Sequence, residues 1–157
     1  MTDTLILRPL GPFTKSAKRR LVQHPRFYFF DVGVLNGALA NFEASADRKG
    51  NLFEHLCFQC IQSECQGRDL SVRLSVYRTD AGAEVDFIIE KGGEVFAVEV
   101  KATRTIGSQD LRGLKNFREF YGAKAQLLVA YMGDYGLEVE GIHILPLPQL
   151  IQRIFGG

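Results

Sequence analysis

Three observations predict an α/β fold of three layers (α/β/α) around a central mixed β-sheet. From residue 51 the segments run helix, three strands, helix, two strands and helix, two of the strand candidates flank a diglycine turn, and the longer helix candidates carry an apolar face. The chain has 157 residues, which suits one domain, and 46% of them are apolar, enough to cover a sheet on both sides.

Residues 1–25 are punctuated by Pro9, Gly11, Pro12 and Pro25 and are expected to be an irregular basic arm ahead of a domain at 26–157. Over residues 1–26, Arg8, Lys15, Lys18, Arg19, Arg20 and Arg26 face only Asp3, whereas the remainder holds thirteen basic and seventeen acidic side chains. Such an arm either contacts phosphates or is a solvated linker, and a formal charge of +1 overall does not mark a nucleic-acid binder.

Arg26 to Phe30 reads as a short aromatic strand, after which Asp31 caps a helical turn through Val34, Leu35 and Leu39. Residues 43–50 are polar and read as a loop. Asn51 to Gln66 has helical periodicity, with Gly67 as its stop signal. Val72 to Thr79 is strand-like, and Asp80-Ala81-Gly82 turns the chain. Ala83 to Glu90 and Glu94 to Lys101 flank Lys91-Gly92-Gly93 as a hairpin. Ser108 is a candidate N-cap for a helix to Tyr121 that buries Leu111, Leu114, Phe117 and Tyr121, with Gly122 beyond its end. Gln126 to Tyr131 is an interior strand, Gly141 to Leu145 a further one, and Pro148 opens a short last helix.

Cys57, Cys60 and Cys65 fall within the first long helix. One C-x-x-C without a second pair is a poor zinc signal, so these read as thiols of a reducing compartment. Without a signal peptide or an apolar run of about eighteen residues, a cytoplasmic location and no membrane partner are expected.

The hairpin carries the chemistry. A turn centred between Gly92 and Gly93 sets Lys91 opposite Glu94, and counting back along both strands sets Asp86 opposite Glu99. Strand alternation places Glu84, Asp86, Ile88 and Glu90 on one face, and Glu99 and Lys101 together on a face of the partner strand. Opposed carboxylates about 5 Å apart repel. A divalent cation turns that repulsion into attraction, and Lys101 beside it would orient water or meet charge developing on a phosphoryl oxygen. A third carboxylate, Glu54, falls in the apolar arc of the first long helix with Phe53, Leu56, Cys57, Phe58, Cys60, Ile61 and Cys65, while His55, Gln59, Gln62 and Gln66 occupy the other face. An unpaired carboxylate there is costly and demands a partner. A plainer reading stands beside this one: Lys101 opposes Glu84 and would pair with it, and Asp86 and Glu99 would lie with Glu90 on a solvated face.

Asp86, followed after twelve residues by Glu99-Val100-Lys101, resembles the D…(D/E)-x-K signature of the PD-(D/E)XK phosphodiesterase superfamily. Gly50-Asn51-Leu52-Phe53-Glu54, the run from Tyr77 to Asp86, and Val98 to Lys101 are similar to a domain found C-terminal to archaeal-type AAA+ ATPase modules. The likeness covers roughly residues 18–150, with Arg26 to Leu35 as its opening segment. It implies a restriction-endonuclease-like core and a nuclease ancestry dependent on Mg²⁺ (or Mn²⁺). Carried over position by position, Glu54, Asp86 and Glu99 become the metal ligands, and Lys101 completes the catalytic set. The residue before Asp86 is Val85 rather than proline. No G-x-x-x-x-G-K-[ST] occurs, so no ATP site is expected in this chain, and the basic opening would be the remnant of a link to the ATPase module. DNA is the expected substrate, with Arg104, Arg112 and Lys115 as phosphate contacts or ordinary solvent-facing charges. The alternative is a non-catalytic DNA- or protein-binding module of an ATPase system that keeps the nuclease fold.

Overall fold

The computed structural model describes residues 6–14 and 24–156. Two short strands, β1 (Leu7–Leu10) and β2 (Arg26–Phe29), precede helices α1 (Val32–Ala38) and α2 (Lys49–Gly67). Then come β3 (Val72–Arg78), β4 (Glu84–Lys91) and β5 (Glu94–Lys101). A 3-10 turn at Ser108–Leu111 leads into α3 (Arg112–Tyr121), followed by β6 (Gln126–Tyr131), β7 (Leu137–Val139), β8 (Ile142–Pro146) and α4 (Leu147–Phe155).

The main sheet has six strands in the order β3-β4-β5-β6-β8-β7. It is mixed, as expected: β3, β4 and β5 run antiparallel, β5, β6 and β8 run parallel, and β7 closes the edge antiparallel. The parallel step from β5 to β6 needs a crossover, which α3 supplies. On one face, Cys57, Phe58 and Ile61 of α2 and Leu150 and Ile154 of α4 pack on Phe87, Ile89, Phe96 and Val98. On the other, Leu111, Leu114 and Phe117 cover Val85, Ile88, Val95, Ala97 and Val129. Each fully buried Phe, Leu or Ile contributes about 1.5–3 kcal/mol by leaving water, so the two cores fix the three layers.

Several elements differ from the sequence expectation, each for a tertiary reason. Within the stretch expected to be irregular, Leu7–Leu10 pairs antiparallel with β2, Pro12 bridges Val76, and Phe13 is buried against Phe117. Those pairings satisfy backbone groups that local sequence leaves open. Lys15, Lys18, Arg19 and Arg20 lie outside the described residues. The covering of α2 by the β1–β2 ribbon also turns its buried face: His55 is buried against Tyr28, while Leu56 is exposed. α2 ends at Gly67, as expected, but the left-handed residue beyond it is Asp69, whose φ is +50°. The helix expected from Ser108 begins as the 3-10 turn, preceded by Gly107, whose N–H donates to Asp110. Tyr121 is half-buried, and β7 is an additional strand. Cys57 is buried, Cys60 and Cys65 are half-buried, and all three are free thiols. Among the described residues no helix is long and apolar enough to cross a membrane.

Candidate active site at the open end of the hairpin

From its tip the hairpin follows the register expected of the diglycine turn. Gly92 and Gly93 both take positive φ (58° and 86°), the left-handed pair that a two-residue hairpin loop requires. The ladder then runs from Lys91 opposite Glu94 to Phe87 opposite Val98. One step further the strands part company. The Asp86 carboxylate, through Oδ2, accepts the backbone N–H of Val100 at 2.9 Å.

A bulge in β4 accompanies this change. Ser75 pairs with Ile88 but Tyr77 pairs with Val85, so Asp86 and Phe87 together face a single β3 residue. The expected alternation therefore breaks at that point: Val85 and Ile88 share one core, while Phe87 and Ile89 belong to the other. A bulge bends a strand and re-aims a side chain. Here it turns Asp86 toward the side from which α2 and β2 approach.

Glu54 of α2 meets Asp86 there through a shared cation. Arg26 Nη1 lies 2.7 Å from Glu54 Oε1 and 2.9 Å from Asp86 Oδ1, and its Nη2 lies 3.3 Å from Glu84 Oε2. Tyr28, stacked on Phe58, donates its hydroxyl to Glu54. Burial raises the Tyr28 hydroxyl pKa, and the Glu54 charge raises it further, so the phenol remains a donor. Burial acts against the Arg26 charge, but Tyr28, Glu54 and Asp86 outweigh it and hold the guanidinium above its ordinary pKa. Asp86 is itself raised, first by burial and then by the Glu54 charge, with Val100 N–H and Arg26 opposing.

Glu99 enters on the α3 side. Its Oε1 lies 2.9 Å from Lys101 Nζ, while its buried Oε2 has no hydrogen-bond partner. Burial pushes the Glu99 carboxyl up to about 8, helped by the Asp86 charge and opposed by Lys101. Gly113 sets the distance of α3 from this corner. A Cβ there would collide with the Glu84 carbonyl oxygen and would stand 3.6 Å from Glu99 Oε2. Only glycine lets the first turn of α3 rest on β4 this closely.

Glu54, Asp86, Glu99 and Lys101 thus gather at one end of the hairpin, brought by three elements. The Lys101–Glu84 pairing expected on the plainer reading does not form. Lys101 turns to Glu99, with Asp110 at 3.9 Å, and Glu84 pairs with Arg78 at 2.8 Å and with Arg26. Nor is the face solvated, since Glu99 is 9% exposed. Among the described residues, no three His, Cys, Asp or Glu side chains stand preassembled as metal ligands, because Arg26 draws Glu54 and Asp86 together while Lys101 holds Glu99. Of the expected phosphate contacts, Arg104 makes a two-pronged pair with Asp134 and Lys115 pairs with Glu140, whereas Arg112 is exposed.

Sequence reasoning missed Arg26, Tyr28 and Gly113. Arg26 was read as part of a basic arm, although its place at the start of an aromatic strand (Arg-Phe-Tyr-Phe) was a usable sign that it leads into the core. Nothing local marks Gly113, whose need for glycine lies in a contact with Glu84.

A family model described as a domain of unknown function (DUF4143) matches residues 49–150, a span that includes Glu54, Asp86, Glu99 and Lys101 but not Arg26. The chain is 24% identical over 162 aligned residues to an uncharacterised protein of Mycobacterium tuberculosis, Rv2008c, and equally to one of Mycobacterium bovis, Mb2031c. Each alignment covers 96% of this chain and 34% of the relative, so the chain spans about a third of the length of the curated relatives it matches.

Proposed function

Since the chain belongs to the DUF4143 family of domains of unknown function, we propose that it is a metal-dependent phosphodiesterase of the PD-(D/E)XK type that acts on DNA. One observation carries this reading: carboxylates from α2, β4 and β5 crowd the open end of the hairpin at a cost, and one buried oxygen, Glu99 Oε2, is left without a partner. Like charges held together and an orphaned acceptor are what a bound cation would relieve. The donor set, all carboxylate oxygen, suits a hard ion such as Mg²⁺ or Mn²⁺.

Glu54, Asp86 and Glu99 would hold that ion, which would supply charge neutralisation at a phosphoryl oxygen and an acidified water. The chain's own residues do the rest. The Val100 N–H fixes one Asp86 oxygen and so the direction of the other. Tyr28 orients Glu54. Lys101, half-buried against Glu99, places a positive charge at the margin of the cluster, where it would meet charge developing on a transferring phosphoryl group. The likeness to domains that follow ATPase modules makes an ATPase a fitting partner.

A second reading has its own support. Arg26 already offsets Glu54 and Asp86, so the cluster is viable without an ion, as expected of a non-catalytic DNA- or protein-binding module. Thermal unfolding with and without Mn²⁺ or Mg²⁺ separates the two. The catalytic reading expects both ions to raise Tm, adding about 2.7 kcal/mol of stability at a hundredfold excess over Kd, with the rise abolished in Glu99→Ala and with cleavage of plasmid or single-stranded DNA. No ion effect and no cleavage would leave the binding-module reading.

A further inference from the structure

We propose that Arg26 is a gate on this site: its guanidinium occupies the place a divalent ion would take between Glu54 and Asp86, and swings onto Glu84 when the ion enters. The inference deepens the metal-site reading above and rests on it.

The geometry gives the guanidinium two seats. Nη1 holds Glu54 at 2.7 Å and Asp86 at 2.9 Å, the two carboxylates that α2 and β4 contribute to the cluster. Nη2 already touches Glu84 at 3.3 Å. Glu84 is more open than the others, at 42% side-chain exposure against 21% for Glu54 and 14% for Asp86. A cavity of about 120 Å³ adjoins Arg26 on that side, bounded by His24, Pro25, Val76, Arg78 and Glu84. The side chain therefore has space to move and a destination that it would share with Arg78, which lies 2.8 Å from Glu84 Oε1 and 3.0 Å from Oε2.

Arg26 reaches the carboxylates from outside the six-stranded sheet. It begins β2, opposite Leu10, in a two-stranded ribbon that is not laddered into the six-stranded sheet. The ribbon is tied to the sheet through the bridge between Pro12 and Val76 and the Phe13 N–H to the Val76 carbonyl. Leu10 and Tyr28 anchor the ribbon in the core, so what can move is the half-buried Arg26 side chain at its edge, not the ribbon. A unit positive charge cannot share the position with a divalent ion: at contact distance the repulsion exceeds the pairing of Arg26 with either carboxylate. One cation must leave, and Arg26 is the one with a second carboxylate within reach. Glu99 and its unpartnered Oε2 lie outside the grip of Arg26 and stay available to an incoming ion.

The test measures ion binding rather than turnover. Mn²⁺ affinity of the full chain is read from the electron paramagnetic resonance signal of free Mn²⁺ for the wild type, Arg26→Gln, Arg26→Lys and Glu84→Gln, each checked for folding by circular dichroism. Removing the competing charge should tighten Mn²⁺ binding by at least about tenfold in Arg26→Gln. Removing the second seat should weaken it severalfold in Glu84→Gln, a variant that touches none of the three ligands. Arg26→Lys keeps the charge but loses the fork, so it should fall between wild type and Arg26→Gln. If the wild type binds Mn²⁺ as tightly as Arg26→Gln, or more tightly, the gate is wrong while the metal site stands. If Arg26→Gln does not fold, unchanged affinity in Glu84→Gln overturns the gate on its own. If neither the wild type nor any Arg26 variant binds Mn²⁺, the metal-site reading falls and takes the gate with it.

Discussion

At its diglycine tip the β4–β5 hairpin is held by backbone ladder, from Lys91 opposite Glu94 to Phe87 opposite Val98, whereas at its open end side chains take over. There Asp86 accepts the Val100 N–H, β4 bulges, and Arg26 and Lys101 hold carboxylates that would otherwise repel. The tip follows from turn chemistry that any hairpin uses. The open end keeps like charges and an orphaned acceptor in a buried corner, and a sequence selected only for stability would replace them. That contrast is the ground for the proposed site: like charges and an unmet acceptor concentrate at one end of an otherwise regular element.

The sharpest way to break the comparison is at Asp86. Asp86→Ala leaves the Val100 N–H without its acceptor and strips Arg26 of one carboxylate, so it should cost about 3–5 kcal/mol in urea unfolding. Asp86→Asn keeps an acceptor of the same shape and should retain most of that stability, since it also removes a charge that burial opposes. Equal stability of the two variants would mean that the Asp86–Val100 bond does not hold the open end together.

Glu99 tests the cost of the cluster directly. Its folded-state pKa is about 8 against an ordinary 4.5, and Asp86 is raised in the same direction. A carboxyl raised on folding holds its proton in the native state where the unfolded chain has lost it. Its stabilising contribution is therefore complete below 4.5 and is lost as pH rises through 8. Without added metal, wild-type stability should fall by on the order of 1–3 kcal/mol across this window, and Glu99→Gln should flatten the slope. A wild-type profile that is level or rises from acid to neutral pH would remove the electrostatic penalty from the argument.

Much of the regular end was legible in the sequence, and little of the irregular end was. The Gly92-Gly93 turn and the strand bounds Glu94–Lys101 and Gln126–Tyr131 follow from local periodicity, which a single chain displays. The gathering of Glu54, Asp86 and Glu99 was anticipated because a carboxylate in an apolar helical arc needs a partner. The partner found for Glu54, Arg26, lies 28 residues away in sequence, and the ribbon that delivers it forms only through pairing with β1. The bulge at Asp86 is a mismatch between two strands, visible in neither strand alone. For the same reason the plainer reading pairs Lys101 with Glu84: strict alternation carries the register past the point where the ladder ends at Phe87 opposite Val98.

The smallest expected effect comes from the regular end. Gly93 has φ +86° and open space where a Cβ would stand, so Gly93→Ala meets no steric obstacle and pays only backbone strain, about 1–2 kcal/mol. The lost stability should appear as a modest drop in Tm, with the Mn²⁺ response of the protein unchanged. The turn lies about six residues from Asp86 along β4, or roughly 20 Å at the rise of a strand, and the intervening ladder is continuous, with Phe87 to Ile89 and Val95 to Val98 buried. A rigid ladder transmits no rearrangement from a turn that keeps its register. If Gly93→Ala altered Mn²⁺ affinity as well as Tm, the register itself would have slipped, moving every β4 side chain relative to β5. The two ends would then be coupled through the ladder, and the position of Asp86 beside Glu99 would depend on the diglycine turn more than on the bonds made at the site.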